Sequence, residues 1–102
     1  MLSIRFDNAH EWFVSASLFD RLFESAVASG HVPTRLADWQ HVANANGGLG
    51  IDLVEPQDDR AALATGLCDA ARAELSRLTG GSLSPEDESY RVSLERFLSI
   101  AP

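Results

Sequence analysis

The stretch from Leu63 to Leu98, LATGLCDAARAELSRLTGGSLSPEDESYRVSLERFL, decides the fold class. Wound at about 3.6 residues per turn, Ala61, Leu63, Ala64, Leu67, Cys68, Ala71, Leu75 and Leu78 share one arc. Thr65, Asp69, Arg72 and Ser76 face away. That is an amphipathic helix. Glu55 to Asp59 supplies its turn and acidic start, and Gly80-Gly81 stops it after Thr79. Ser84-Pro85-Glu86-Asp87 then opens another helix, with serine at the N-cap, proline at the first helical position and acids in the first turn. Its stripe is Tyr90, Leu94, Phe97, Leu98 and Ala101. So short a connection makes antiparallel neighbours, and the spacing predicts a helical hairpin.

Working outward, Asn46-Gly47-Gly48 reads as a helix stop, and Thr34 as the cap of a helix over residues 35–46. The apolar face of that helix is narrow: Leu36, Trp39, Val42 and Ala43. Asn8, with Glu11 three residues on, has the form of a capping box and predicts a helix from there to Ser29, closed by Gly30. Its apolar arc (Trp12, Ala16, Leu18, Phe19, Leu22, Phe23, Ala26 and Val27) covers about half the wheel, as expected of a central helix. Phe13 and Val14 fall outside that arc. Residues 2–7 alternate, with Leu2, Ile4 and Phe6 against Ser3, Arg5 and Asp7. Residues 49–54 alternate too, so the two stretches are expected to pair as a two-stranded ribbon. The expected fold is a mainly α, four-helix bundle-like single domain spanning residues 1–102, with that small ribbon along one side.

Composition narrows the function. The chain has 102 residues, enough for one core. Fifteen acids oppose eight arginines with no lysine, for a net charge of −7. Such a surface repels phosphate backbones and anionic membranes, and it favours a basic protein partner. A helix-turn-helix needs a basic recognition helix, and residues 35–46 hold one arginine. Cys68 is the only cysteine, so no internal disulfide forms. Neither a signal-peptide core near Met1 to Asp7 nor an apolar run of membrane length is present, which predicts a cytoplasmic protein.

Motifs for chemistry are missing. His10, His31 and His41 lack the paired spacing of a zinc site, and Asp38 with His41 reads as two solvated side chains. Cys68 sits among alanine and leucine, away from any cation expected to activate it. Gly47-Gly48-Leu49-Gly50 follows a helix and precedes an extended stretch, the wrong order for a phosphate loop. Glu55, Asp58 and Asp59 gather at one helix start and Glu86, Asp87 and Glu88 at another, at opposite ends of the expected hairpin, where the helix dipole accounts for them. No serine lies in a nucleophile motif. Neither an enzyme, a cofactor nor a metal is expected.

What remains is a non-catalytic protein-interaction module of the kind that small immunity-like inhibitors and adaptors exemplify, binding a basic protein. Trp39, with its narrower apolar face, is the better candidate of the two tryptophans for an aromatic anchor, although core packing is the commoner fate of so large a ring. Asp52, Glu55, Asp58 and Asp59 are the expected acidic contacts, whereas Trp12 lies deep in its arc and reads as core. Two other readings follow from the residues. One is a homodimer made through Phe13, Val14 and the ribbon edges. The other is a small ligand- or metal-binding regulator using His10, His31, His41 and Asp38.

Overall fold

The computed structural model describes residues 1–79 and 81–101. Strand β1, Leu2–Asp7, buries Leu2, Ile4 and Phe6, as its alternation requires. The next segment departs from the sequence reading. Residues that looked like a first helical turn form strand β2, His10–Val14, antiparallel to β1, with Ile4 opposite Trp12 and Leu2 opposite Val14. Asp7 closes the turn: its Oδ1 accepts the Ala9 N–H at 2.8 Å and lies 2.7 Å from His10 Nδ1. Helix α1, Ala16–Ala28, starts only after Ser15, whose Oγ accepts the Leu18 N–H at 3.3 Å.

The broad apolar arc read for residues 8–29 was a strand and a helix merged. Trp12 and Val14 point inward with period two, and Phe13 points out between them. Glu11 does not reach back to the backbone as a capping box would. It accepts the Ser3 hydroxyl across the strand pair instead. A lone β1 would leave its backbone groups unpaired, and β2 satisfies them.

Gly30 follows α1 with φ +79°, the left-handed conformation expected of a C′ glycine. The helix expected over residues 35–46 is split. A 3-10 turn, Thr34–Leu36, precedes helix α2, Asp38–Asn46, and Thr34 makes no side-chain cap. Gly47, with φ +73°, ends α2. Strand β3 is short, Gly48–Gly50, and runs parallel to β1 with Ile4 opposite Leu49. A Cβ at Gly48 would lie 2.2 Å from the Ser3 carbonyl oxygen, so this close pairing needs glycine. The expected strand over 49–54 stops at Gly50 because the chain turns through a 3-10 turn, Ile51–Leu53. The result is a three-stranded mixed sheet in the order β2-β1-β3, not a two-stranded ribbon.

Helix α3, Gln57–Leu78, follows a cis Glu55–Pro56 peptide bond. Gly80, part of its expected stop, lies outside the described residues. Helix α4, Pro85–Ile100, begins as its sequence predicts: Ser84 Oγ accepts the Asp87 N–H at 3.1 Å. The helices α3 and α4 pack together, and α1 packs on α3. At Gly66, buried in mid-α3, a Cβ would stand 2.3 Å from the His31 carbonyl oxygen. The missing side chain lets the loop after α1 lie directly on α3.

The helices do not close on one another as a four-helix bundle, because the sheet supplies one wall of the core. Phe97 of α4 packs on Phe6 and Trp12, with ring centroids 5.3 and 4.5 Å away. The opposite face of the sheet carries Ser3, Arg5, Glu11 and Phe13; Glu11 and Phe13 are exposed there, and Arg5 meets Asp52 of the 3-10 turn. No helix among the described residues is long and apolar enough to cross a membrane.

Candidate functional site

The site is built around the free side of β3. Helix α2 runs into β3 through Gly47 alone, so the two elements diverge from a sharp corner. Between them lies a groove of about 240 Å³, lined by Trp39, Val42 and Asn46 of α2, Gly48, Leu49 and Gly50 of β3, and Leu53 and Val54 beyond it. Leu53 is 70 % exposed, a large apolar side chain held in water. Trp39 is half-buried, with part of its ring against the core and part in the groove. This is the arrangement expected of an aromatic anchor.

Asp52 lies beside this groove. Its Oδ1 accepts from Arg5 Nε at 3.1 Å, and the guanidinium passes over Gly50 to reach it. A Cβ at Gly50 would sit 3.0 Å from Arg5 Nη2 and 3.2 Å from Asp52 Oδ1, so the glycine clears the path of the ion pair. Glu55 is exposed directly after the groove-lining Val54, and Asp58 is exposed in the first turn of α3. Asp59 is turned aside, paired with Arg35. The five residues singled out in the sequence are therefore not one cluster. Trp39, Asp52 and Glu55 border the groove, Asp58 follows on α3, and Asp59 is neutralised elsewhere.

Leu53, Gly48 and Gly50 were missed as site residues. The alternation of residues 49–54 put Leu53 on the same face as Leu49 and Ile51. The 3-10 turn breaks that alternation and leaves Leu53 outside while Ile51 is buried. Val14, offered in sequence as an off-arc contact, is buried opposite Leu2, whereas Phe13 is 52 % exposed on the open sheet face.

Elsewhere charges are largely matched. Among the described residues, six of the eight arginines pair with carboxylates. Glu74 is the sole buried charged residue among those described, and it accepts from Tyr90 Oη at 3.0 Å and Arg77 Nε at 2.8 Å. Burial pushes the Glu74 pKa up, but the hydrogen bonds from Arg77 and Tyr90 outweigh it and hold the carboxyl below its ordinary value. Burial, with the Glu74 charge, raises the Tyr90 phenol. Arg21 stacks 4.1 Å above the Tyr90 ring and meets Asp87 at 2.8 Å. A larger open groove of about 650 Å³ lies between the starts of α1 and α4, lined by Ser15, Ser17, Leu18, Arg21, Pro85, Glu86 and Ser89. Its one guanidinium is already matched by Asp87.

The histidines stay apart: His10 contacts Asp7 at the hairpin turn, and His31 and His41 are exposed. Among the described residues no three His, Cys, Asp or Glu side chains gather as a metal site would require. Burial raises the Cys68 thiol, which opposes formation of a reactive thiolate. The chain matches no protein-family model, and comparison with curated proteins and with solved structures gives no significant match.

Proposed function

We propose that this protein is a cytoplasmic protein-interaction module, an immunity-like inhibitor or adaptor, that docks a basic partner through the groove between α2 and β3. The observation that carries the reading is the pairing of Trp39 with Leu53. One is a half-buried indole and the other a leucine exposed to 70 %, and both line one groove. Holding so large an apolar side chain in water brings no folding benefit, whereas burying it against a partner contributes roughly 1.5–3 kcal/mol. The charge supports a basic partner. Asp38, Glu55 and Asp58 form no salt bridge among the described residues, and all three are exposed: Asp38 next to the groove-lining Trp39, Glu55 next to Val54, and Asp58 in the first turn of α3.

The test compares proteins retained from lysate by the wild-type chain, by Trp39→Ala and by Leu53→Ser, at low and high salt. A partner held by the wild type is expected to be lost from both variants and to weaken as salt screens the charges. Equal retention by all three chains overturns the reading.

A further inference from the structure

We infer that the partner enters this groove as an extended segment of alternating apolar and basic residues, adding to the free edge of β3 as a fourth strand. The inference rests on the docking reading above and specifies the shape and chemistry of what docks.

Backbone geometry carries it. The Ser3 N–H donates to the Gly47 carbonyl at 3.2 Å, and the register sets Ser3 against Gly48 and Arg5 against Gly50. In a parallel ladder a residue bonds to the two neighbours of its opposite number, so bonded residues alternate along the strand. Gly47 and Leu49 therefore turn their backbone groups to β1. Gly48 turns both of its groups, and Gly50 its N–H, to the other edge, which faces the groove. The Gly50 carbonyl is taken up as the N-cap of the 3-10 turn, and the Ile51 carbonyl accepts from the Val54 N–H. Both glycines are partly accessible. An accessible strand edge with unspent donors and acceptors is a template for another extended chain.

The groove walls fit such a strand. With glycine at positions 48 and 50, the one side chain on β3 is that of Leu49, and it is buried in the core. Successive side chains of an added strand alternate between two faces. One set would meet Trp39, Val42 and Leu53, and the other would face solvent near Asp38 and Glu55. Arg5 is engaged by Asp52, and Arg60 is directed to the Val54 carbonyl at 3.1 Å. The carboxylates left unmatched there select lysine or arginine on the incoming segment. A second copy of this chain is disfavoured as the occupant, since each copy carries a net charge of −7.

A random-peptide display library selected on the immobilised full chain tests this. The enriched peptides are expected to alternate apolar and basic residues. Methylating alternate backbone nitrogens of one selected peptide should weaken its binding about tenfold, since it removes hydrogen bonds and leaves every side chain in place. The amide resonances of Gly48 and Gly50 should shift on binding, and Leu53→Ser, an exposed change that leaves the core intact, should weaken it. Failure to enrich any peptide, enrichment of acidic or helix-periodic sequences, or shifts confined to β2 overturns the inference. If N-methylation has no effect while Leu53→Ser and salt still weaken binding, strand addition falls and the docking groove stands. If Leu53→Ser binds as the wild type does, both fall.

Discussion

Tyr90 gives its hydroxyl hydrogen to Glu74 at 3.0 Å inside the seam between α3 and α4, where Glu74 is only 7 % exposed. A buried carboxylate is tolerated only where its lone pairs are filled, and here the phenol and the Arg77 guanidinium fill them. Tyr90→Phe leaves that carboxylate one donor short. Its expected cost is about 1–3 kcal/mol in chemical denaturation. A variant as stable as the wild type would show that Glu74 recruits water instead.

The same pair sets a pH dependence. The Glu74 pKa is lowered in the folded state from an ordinary value of 4.5. Its contribution is therefore fully present above that value and is lost as pH falls through the lower, folded one. Tyr90 runs the other way. Its pKa is raised from 10.0, so its contribution holds below that value and is lost as pH rises beyond it. As the chain has one tyrosine, its absorbance titration is unambiguous. Tyrosinate should form at higher pH in the folded chain than in urea. In Glu74→Gln the acid-side slope of stability should flatten, read from denaturant midpoints across the acidic range.

Gly66→Ala should destabilise the protein by about 1–3 kcal/mol, against the usual gain of up to about 1 kcal/mol for alanine over glycine in a helix. The added methyl meets the His31 carbonyl oxygen at 2.3 Å, and a backbone atom cannot swing aside as a side chain can. Thermal melting decides the sign, and a raised Tm would mean that the loop after α1 lifts off α3 without cost.

Trp12 is 1 % exposed, and its Nε1 has no hydrogen-bond partner among the described residues. Removing that unpaired donor offsets part of the lost ring area. Trp12→Phe should therefore cost less than about 1.5 kcal/mol, and Trp12→Ala about 3–5 kcal/mol. Equal losses in the two variants, measured by denaturant unfolding, would mean that the indole nitrogen is satisfied in solution.

Gly50→Ala should release Asp52. The new Cβ would press on the Arg5 guanidinium at 3.0 Å, a flexible group that can move away, so the expected cost in stability is under about 1 kcal/mol. The Arg5 Nε–H, freed of its carboxylate partner, should change chemical shift and exchange faster with water than in the wild type, as seen by NMR. An unchanged Arg5 signal would place the ion pair elsewhere than over Gly50.

Much of the fold was legible in the residues because it rests on local rules. Ser84-Pro85-Glu86-Asp87 forms a helix start by its own capping chemistry, and Gly30 and Gly47 end helices because they accept positive φ. The alternation of Leu2, Ile4 and Phe6 marks β1 wherever it pairs. Residues 10–14 were not legible. A wheel accepts Trp12 as readily as a strand does, and only the need of β1 for a partner made the strand the better solution. The candidate site was half legible. Trp39 stood out as an aromatic on a narrow face, while Leu53 looked like a core residue in an alternating run.

The sequence by itself determined the helical hairpin of α3 and α4, the first strand, the glycine stops of α1 and α2, the start of α4 and the acidic balance, because capping, periodicity and charge act over a few residues. Tertiary structure alone decided that β1 lies between β2 and β3, that Arg5 crosses Gly50 to Asp52, and that Trp39 and Leu53 face one groove. Those relations join residues up to 47 apart in the chain. They depend on which surfaces remain to be covered once the local elements have formed, and no local pattern encodes that.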